Sequence, residues 1–324
     1  MPELRIGTSG WNYPSGRGTW NGVFYPLPGD RPAGFDELTF YADRFDTVEV
    51  NSTFYGQPRA EVSRSWVQRT PASFAFSVKL YQKFTHPEMF KQSLTRGLPG
   101  LFDGPESTAG DAGLLARLAA LNQVDIDVFK RGIDPLAESG RLGALLAQFP
   151  ASFRHEPASV DYLDGVLRAF AGYEVAVELR HRSWSDAMGR TLALLGGHGA
   201  ALVQIDEPKF RFSIQQNQLP NVKGFYYMRL HGRNAAQWWQ HDHMEDRYNY
   251  LYSATELKPI AESAASAQRL VKKAYLYTNN HYSAKSVANA NMLKQQVGIP
   301  IHGDYPKTFA DRYPELAASL RVRA

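Results

Sequence analysis

Eight short apolar runs, each followed by a stretch with helical spacing, constrain this chain more than any other feature of its sequence. The runs are Leu4–Ser9, Thr47–Ser52, Phe74–Lys79, Leu145–Phe149, Val175–Arg180, Ala201–Asp206, Gly224–Leu230 and Ala274–Asn279. Between them, Phe35–Phe45 sets Phe35, Leu38, Tyr41 and Phe45 near one face, and Val160–Ala171 spaces Leu163, Val166, Leu167 and Phe170 in the same way. Ala60–Arg69, Asp186–Leu195, Glu256–Val271 and Ser283–Gln296 complete the helical set. Strands alternating with helices specify an α/β fold with a parallel sheet and right-handed crossovers. At 324 residues the expected form is a single closed eight-stranded parallel (β/α)8 TIM-like barrel, one domain over residues 1–324. The interval from Lys79 to Leu145 is too long for one crossover. It holds two further helical patterns, Leu114–Asn122 and Val128–Glu138, after the Gly-, Pro- and Ser-rich stretch Leu98–Gly113. The spacing predicts an extended, partly helical insertion between strands 3 and 4, about residues 85–140, with Leu98–Gly113 a mobile surface loop. A linker between two domains is the alternative for that stretch.

Composition narrows the chemistry. The chain has no cysteine, which excludes disulfides, a thiolate nucleophile and a thiolate metal site. Met1–Ile6 lacks the basic-then-apolar order of a signal peptide, and no apolar run approaches the roughly 18 residues that span a bilayer. A cytoplasmic protein without a membrane partner is expected. The net charge of +4 is mild, and no Lys/Arg run resembles a nucleic-acid-binding arm.

In barrels of this kind the functional groups sit at the C-terminal ends of the strands. Here nearly every strand finishes on a polar or charged residue: Glu49 and Asn51, Lys79, Gln148, Glu178 and Arg180, Asp206, Arg229 and His231, Asn279 and Asn280. Residues two apart on a strand point the same way, so Glu49 with Asn51, Glu178 with Arg180, and Arg229 with His231 share a direction. Glu178, His231 and Glu49 are the expected catalytic residues. Gly7, Ser9, Trp11, Asn51, Lys79, Gln148, Arg180, Asp206, Arg229, Asn279, Asn280 and Ser283 are the expected ligand-binding residues. Lys79, Arg180 and Arg229 place positive charge where a ligand would sit, which fits an anionic or polyhydroxylated small molecule. The same groups also permit a self-satisfied network that plugs the barrel, with Glu178 on Arg229 and Glu49 on Lys79. After the first strand, Gly7 and Gly10 let the backbone approach a ligand, and Trp11, Tyr13 and Trp20 would wall the pocket. After the last, Asn280–Ser283 runs into a helix that Ser283 would cap, and its N-terminus would offer N–H groups to an anion beside Arg229 and Gly7–Gly10.

The quoted motifs resemble the YecE-like family, the domain-of-unknown-function 72 proteins. They are GTSGW at Gly7–Trp11, VEVNSTFY at Val48–Tyr55, FSVKLYQKFTH at Phe76–His86, LGALLAQFP at Leu142–Pro150, VELRHRSW at Val177–Trp184, MRLHGR at Met228–Arg233 and LYTNNHYSAKSVANA at Leu276–Ala290. The resemblance implies a TIM-like barrel related in shape to those of xylose isomerase and endonuclease IV, and it implies no activity. Three functions stay open. One is an enzyme using Glu178 and His231 for acid–base chemistry on a phosphate-, sugar- or nucleotide-like molecule. The second is nucleic-acid binding or metal-dependent phosphodiester hydrolysis of the endonuclease IV type. The third is a non-catalytic ligand-binding protein. No cofactor or metal is expected: arginine, lysine and amides crowd the strand ends, and His241-Asp242-His243 lies in a sequence that reads as a solvated rim.

Overall fold

The structure, a computed structural model, describes residues 3–97, 109–216, 224–240 and 242–323. Nine strands form one parallel sheet: β1 (Glu3–Ser9), β2 (Thr47–Val50), β3 (Ala75–Lys79), β4 (Leu142–Gln148), β5 (Val175–Glu178), β6 (Ala201–Leu202), β7 (Gln204–Asp206), β8 (Phe225–Leu230) and β9 (Lys273–Thr278). Their order is β6-β5-β4-β3-β2-β1-β9-β8-β7. The expected closure of last strand on first is present, with Leu4 opposite Ala274 and Ile6 opposite Leu276. The count of eight needs correction. The run Ala201–Asp206 is interrupted at Val203, so that β6 pairs with β5 while β7 pairs with β8. Val203 itself still donates its N–H to the Val177 carbonyl at 2.9 Å. The two ends of the sheet order are thus joined through one residue, and the parallel barrel is nearly closed.

Strand alternation fills the interior in layers. Tyr277 and Tyr227 point inward with ring centroids 5.3 Å apart. The Tyr277 hydroxyl meets Thr47 Oγ1 at 2.6 Å and Ser77 Oγ at 3.0 Å. One layer nearer the C-terminal mouth, the Tyr227 hydroxyl donates to Glu49 Oε2 at 2.7 Å. A hydroxyl network therefore floors the charged layer above it. Residues of opposite parity face the helices: Thr8, for example, bonds the Tyr41 hydroxyl with both its N–H and its Oγ1. Gly7 owes its identity to this packing. A Cβ there would stand 2.3 Å from the Thr47 carbonyl oxygen, so β1 and β2 approach too closely for any side chain.

Several helices depart from expectation at their ends. Asp186–Leu195 divides into Arg182–Asp186 and Met188–Gly197, and the last crossover helix is Lys285–Gln296. Between β3 and β4 run the helices Gln82–Thr85, Pro87–Gly97, Ala109–Ala119 and Gln123–Glu138. Of the expected loop Leu98–Gly113, residues 98–108 lie outside the described residues, and the remainder begins a helix. The helix Gln123–Glu138 buries Ile126, Phe129, Gly132, Ile133 and Leu136. Its closest approach is at Gly132, whose carbonyl accepts from Ser63 Oγ at 2.6 Å on the helix Ala60–Gln68. A Cβ at Gly132 would stand 2.2 Å from the Pro58 carbonyl oxygen. Gly132→Ala is therefore expected to lower stability by about 1–3 kcal/mol through overpacking, read as a lower urea midpoint at unchanged slope. An unchanged midpoint would mean that this contact is not tight. Among the described residues no helix is long and apolar enough to cross a membrane.

Candidate functional site

Arg229 stands at the centre of the mouth. Its guanidinium is 1% exposed and holds two carboxylates at once: Nη2 to Glu49 Oε1 at 2.7 Å and Nη1 to Glu178 Oε2 at 2.5 Å. Nη1 also reaches Gln148 Oε1 at 3.1 Å. The planar fork of arginine suits this double task, which a lysine ammonium could not perform with the same geometry. Glu178 Oε1 accepts in turn from Arg180 Nε at 2.7 Å. Arg180 extends toward His231 Nε2 at 3.2 Å and Glu207 Oε2 at 3.7 Å, and His231 Nδ1 lies 3.0 Å from the Asn279 amide nitrogen. Groups from β2, β4, β5, β8 and the segments just past β5, β7 and β9 thus meet in one network.

Burial acts on several of the titratable groups here. It would raise the Glu178 carboxyl, but Arg229, Arg180 and His231 outweigh it and hold that carboxyl well below the usual range. Burial lowers His231 to about 3, with Arg229 and Arg180 adding to the effect and Glu178 opposing it. Burial raises the Glu207 carboxyl, opposed by Arg180. It lowers Lys79 to about 7, assisted by Arg229 and Arg180. At neutral pH the ring therefore contains an ionised Glu178, a neutral imidazole and a lysine that is in part a free amine.

Comparison with known proteins assigns the family. A family model described as protein of unknown function DUF72 matches residues 5–310. The chain belongs to the DUF72 family. It is similar to YunF, a UPF0759 protein of Bacillus subtilis (strain 168), at 26% identity over 316 residues, covering 94% of this chain and 98% of that protein. A DUF72 family crystal structure from Thermotoga maritima is 31% identical with a TM-score of 0.70, covering 91% of this chain and 99% of that one. One from Enterococcus faecalis superposes with a TM-score of 0.71 at 22% identity, covering 91% of this chain and 96% of that one, a likeness of fold.

Within this DUF72 barrel, Glu49, Gln148, Glu178, Arg180, Arg229, His231 and Asn279 share one network, as given above. Lys79 lies near them but does not pair with Glu49, which is taken by Arg229 and Tyr227; its Nζ sits 3.9 Å from the Phe54 ring centroid. Ser9 lies opposite Glu49 in the β1–β2 register, and Asn51 follows β2. Four sequence assignments need correction. Asp206 is occupied elsewhere: Arg233 grips it through Nε at 2.9 Å and Nη2 at 2.8 Å, and Tyr252 donates to it at 2.7 Å. Asn280 alternates away from Asn279 and bonds the Tyr250 carbonyl at 2.8 Å and Asn289 at 2.7 Å, between barrel and helix. Ser283 does not cap a helix: it has φ 52° and ψ 36°, Ala284 precedes the helix in the left-handed region, and no side chain caps that N-terminus. The anion site expected there loses its geometry, and with both nitrogen ends of Arg229 engaged it loses its cation too. Gly7, as shown above, is fixed by strand packing.

Of the aromatic wall, Trp20 is fully buried and donates Nε1 to the His281 carbonyl at 2.7 Å. Trp11 packs edge-on against Trp66 at 5.7 Å, and Tyr13 stacks on His281 at 4.2 Å. His241 lies outside the described residues, while Asp242 and His243 are exposed. Among the described residues no group of three His, Asp or Glu side chains is placed to hold a metal ion.

Two site residues escaped the sequence reading. Glu207 follows β7 and approaches Arg180, whereas Asp206 faces outward with Gln204, which bonds the outward Tyr226 hydroxyl at 2.6 Å. Strand parity was the available signal, obscured by the break at Val203. His86 lies edge-on to Phe54 at 5.0 Å, within the fields of Lys79 and Arg180. Its position past the end of β3 gave no periodic signal.

Proposed function

We propose that the barrel mouth binds a polyhydroxylated or anionic small molecule and acts on it as an enzyme. One observation carries the reading. Ser9 Oγ, Asn51 Oδ1, Glu207 Oε2 and Arg229 Nε are all buried, and none has a hydrogen-bond partner among the described residues. A self-satisfied plug would pair most such atoms, since nearly all buried polar groups in folded proteins are paired, and four of the eight unpartnered buried side-chain atoms among the described residues belong to this end of the barrel. Three of the four atoms can accept, so the complementary ligand brings hydroxyl donors, and Arg229 Nε asks for an oxygen acceptor. A sugar, sugar acid or sugar phosphate carries both.

The roles of the charged groups shift from the sequence expectation. Glu178 is a poor proton acceptor while two arginines hold it ionised, and its function in this reading is to orient them. His231, neutral and enclosed, serves as a hydrogen-bonding group toward a substrate oxygen. Arg180 is the cation that faces the ligand, because its side chain is 16% exposed while that of Arg229 is 1% exposed. Titration calorimetry with glucose, gluconate, glucose phosphate, inorganic phosphate and a short DNA duplex tests this. A sugar or sugar acid should bind, and Arg180→Met should weaken it at least about tenfold, a loss of about 1.4 kcal/mol. Failure of every sugar-like compound to bind at millimolar concentration, or binding indifferent to Arg180, overturns the reading.

A further inference from the structure

Lys79 ends β3 with an amine that the network leaves unengaged. The carboxylates nearest to it are bound elsewhere, Glu49 to Arg229 and Glu178 to Arg229 and Arg180. Among the described residues no carboxylate pairs with Lys79, and its recorded neighbour is the face of Phe54 at 3.9 Å. It lies in the fields of Arg229, Glu178, Glu49 and Arg180, and it acts in turn on His86. Glu207 lies on the same Arg180 and Glu178, and its Oε2 is buried without a hydrogen bond. A lysine tied to no anion, beside two guanidiniums and an aromatic face, is the arrangement that activates an amine as a nucleophile.

We propose that Lys79 is a nucleophilic amine that forms an imine with an aldehyde or ketone bearing hydroxyl or anionic groups. This rests on the small-molecule reading of the mouth and adds the substrate class. The Nζ lone pair adds to the carbonyl carbon, and the carbonyl π electrons pass to oxygen. Transfer of the ammonium proton to that oxygen gives a neutral carbinolamine. A proton from solvent then adds to the hydroxyl, which departs as water while nitrogen forms the second bond to carbon. Amine, carbonyl compound and one solvent proton become iminium and water, and no oxidant or reductant is consumed. The Phe54 face favours the iminium cation as it forms. The iminium draws electrons from the adjacent carbon, which opens proton abstraction or carbon–carbon bond cleavage there. Burial and the two arginines leave a substantial fraction of Lys79 as free amine near neutral pH.

The test is reductive trapping. The intact protein is incubated with glyceraldehyde, glyceraldehyde phosphate or pyruvate and cyanoborohydride, and adducts are located by peptide mass mapping. One adduct should dominate, on Lys79, forming about tenfold or more faster than on surface lysines because those are almost wholly protonated at neutral pH. Its rate should rise through a midpoint near pH 7. Lys79→Met and Lys79→Arg should both abolish it at an unchanged thermal midpoint. Adducts spread over surface lysines, or a dominant adduct that survives in both Lys79 variants, overturn the proposal. Arg180-dependent sugar binding without any Lys79 adduct refutes the imine alone; absence of both refutes the site reading as well.

Discussion

Acidification from pH 6.5 to 4.5 is expected to remove about 5 kcal/mol of stability through two histidines alone, His86 and His231. Burial lowers both to about 3 from the ordinary 6.5, and nearby arginine or lysine adds to the effect. The sign follows from proton uptake. Below pH 6.5 the unfolded chain protonates both imidazoles while the folded chain refuses the protons until about pH 3. Their stabilising contribution is therefore complete above 6.5 and is lost as pH falls, at about 1.4 kcal/mol per pH unit for each group. His281, partly buried between Tyr13 and Tyr248 and lowered by burial to about 4, acts in the same direction. Glu178 contributes only lower still, because its carboxyl starts to exchange protons differently from the unfolded chain below about 4.5. Lys79, at about 7, is mostly protonated in both states across this window and adds little to the slope. A loss of this size is a large fraction of the 5–15 kcal/mol typical of a folded protein. Thermal midpoints measured at constant ionic strength should fall steeply below pH 6.5, and His86→Gln or His231→Gln should flatten the curve. A flat midpoint between pH 6.5 and 5 would refute the neutral, enclosed state of both rings.

What could be read from the sequence is what strict periodicity encodes. The buried strands announce themselves as apolar runs, and the pairing of β9 with β1 follows from closing the barrel. The two-residue alternation also put Arg229 with His231, because nothing interrupts β8. The same rule misled where the backbone breaks step. At Val203 the strand changes partner, so Asp206 turns out toward Arg233 and Glu207 turns in toward Arg180. At Ser283 and Ala284 two successive non-glycine residues take positive φ, which no propensity anticipates and which a capping rule reads as an ordinary helix start. Charge pairing was legible as a choice among partners but not as a choice of one. The sequence permits Glu178 on Arg229 and Glu49 on Lys79, and the geometry of a fork that reaches two carboxylates took Glu49 to Arg229 instead. The consequence for Lys79, an amine paired with no carboxylate among the described residues, exists only in three dimensions.

Replacing Arg229 by Met should be among the most damaging single changes available to this chain, with a loss of at least about 3–5 kcal/mol. The fork is 1% exposed and bonds two carboxylates that are themselves 0% exposed. Without it, Glu178 keeps Arg180, but Glu49 is left with the Tyr227 hydroxyl as its side-chain partner among the described residues. An enclosed carboxylate without a countercharge is far costlier than the lost attraction, so most of the damage comes from the orphan and not from the missing bond. A second substitution separates the two terms. Arg229→Met combined with Glu49→Gln removes the orphaned charge while keeping the amide able to accept from Tyr227, and it should recover a large part of the loss. Urea denaturation of the wild type, both single variants and the double variant closes the cycle, with a favourable coupling of about 1–3 kcal/mol between positions 49 and 229. Additive effects would show that Glu49 and Arg229 do not share their free energy, and the bridged centre of the mouth would have to be redrawn. A double variant restored in stability but unable to bind the sugar-like ligand would separate what Arg229 does for the fold from what its free Nε does at the site.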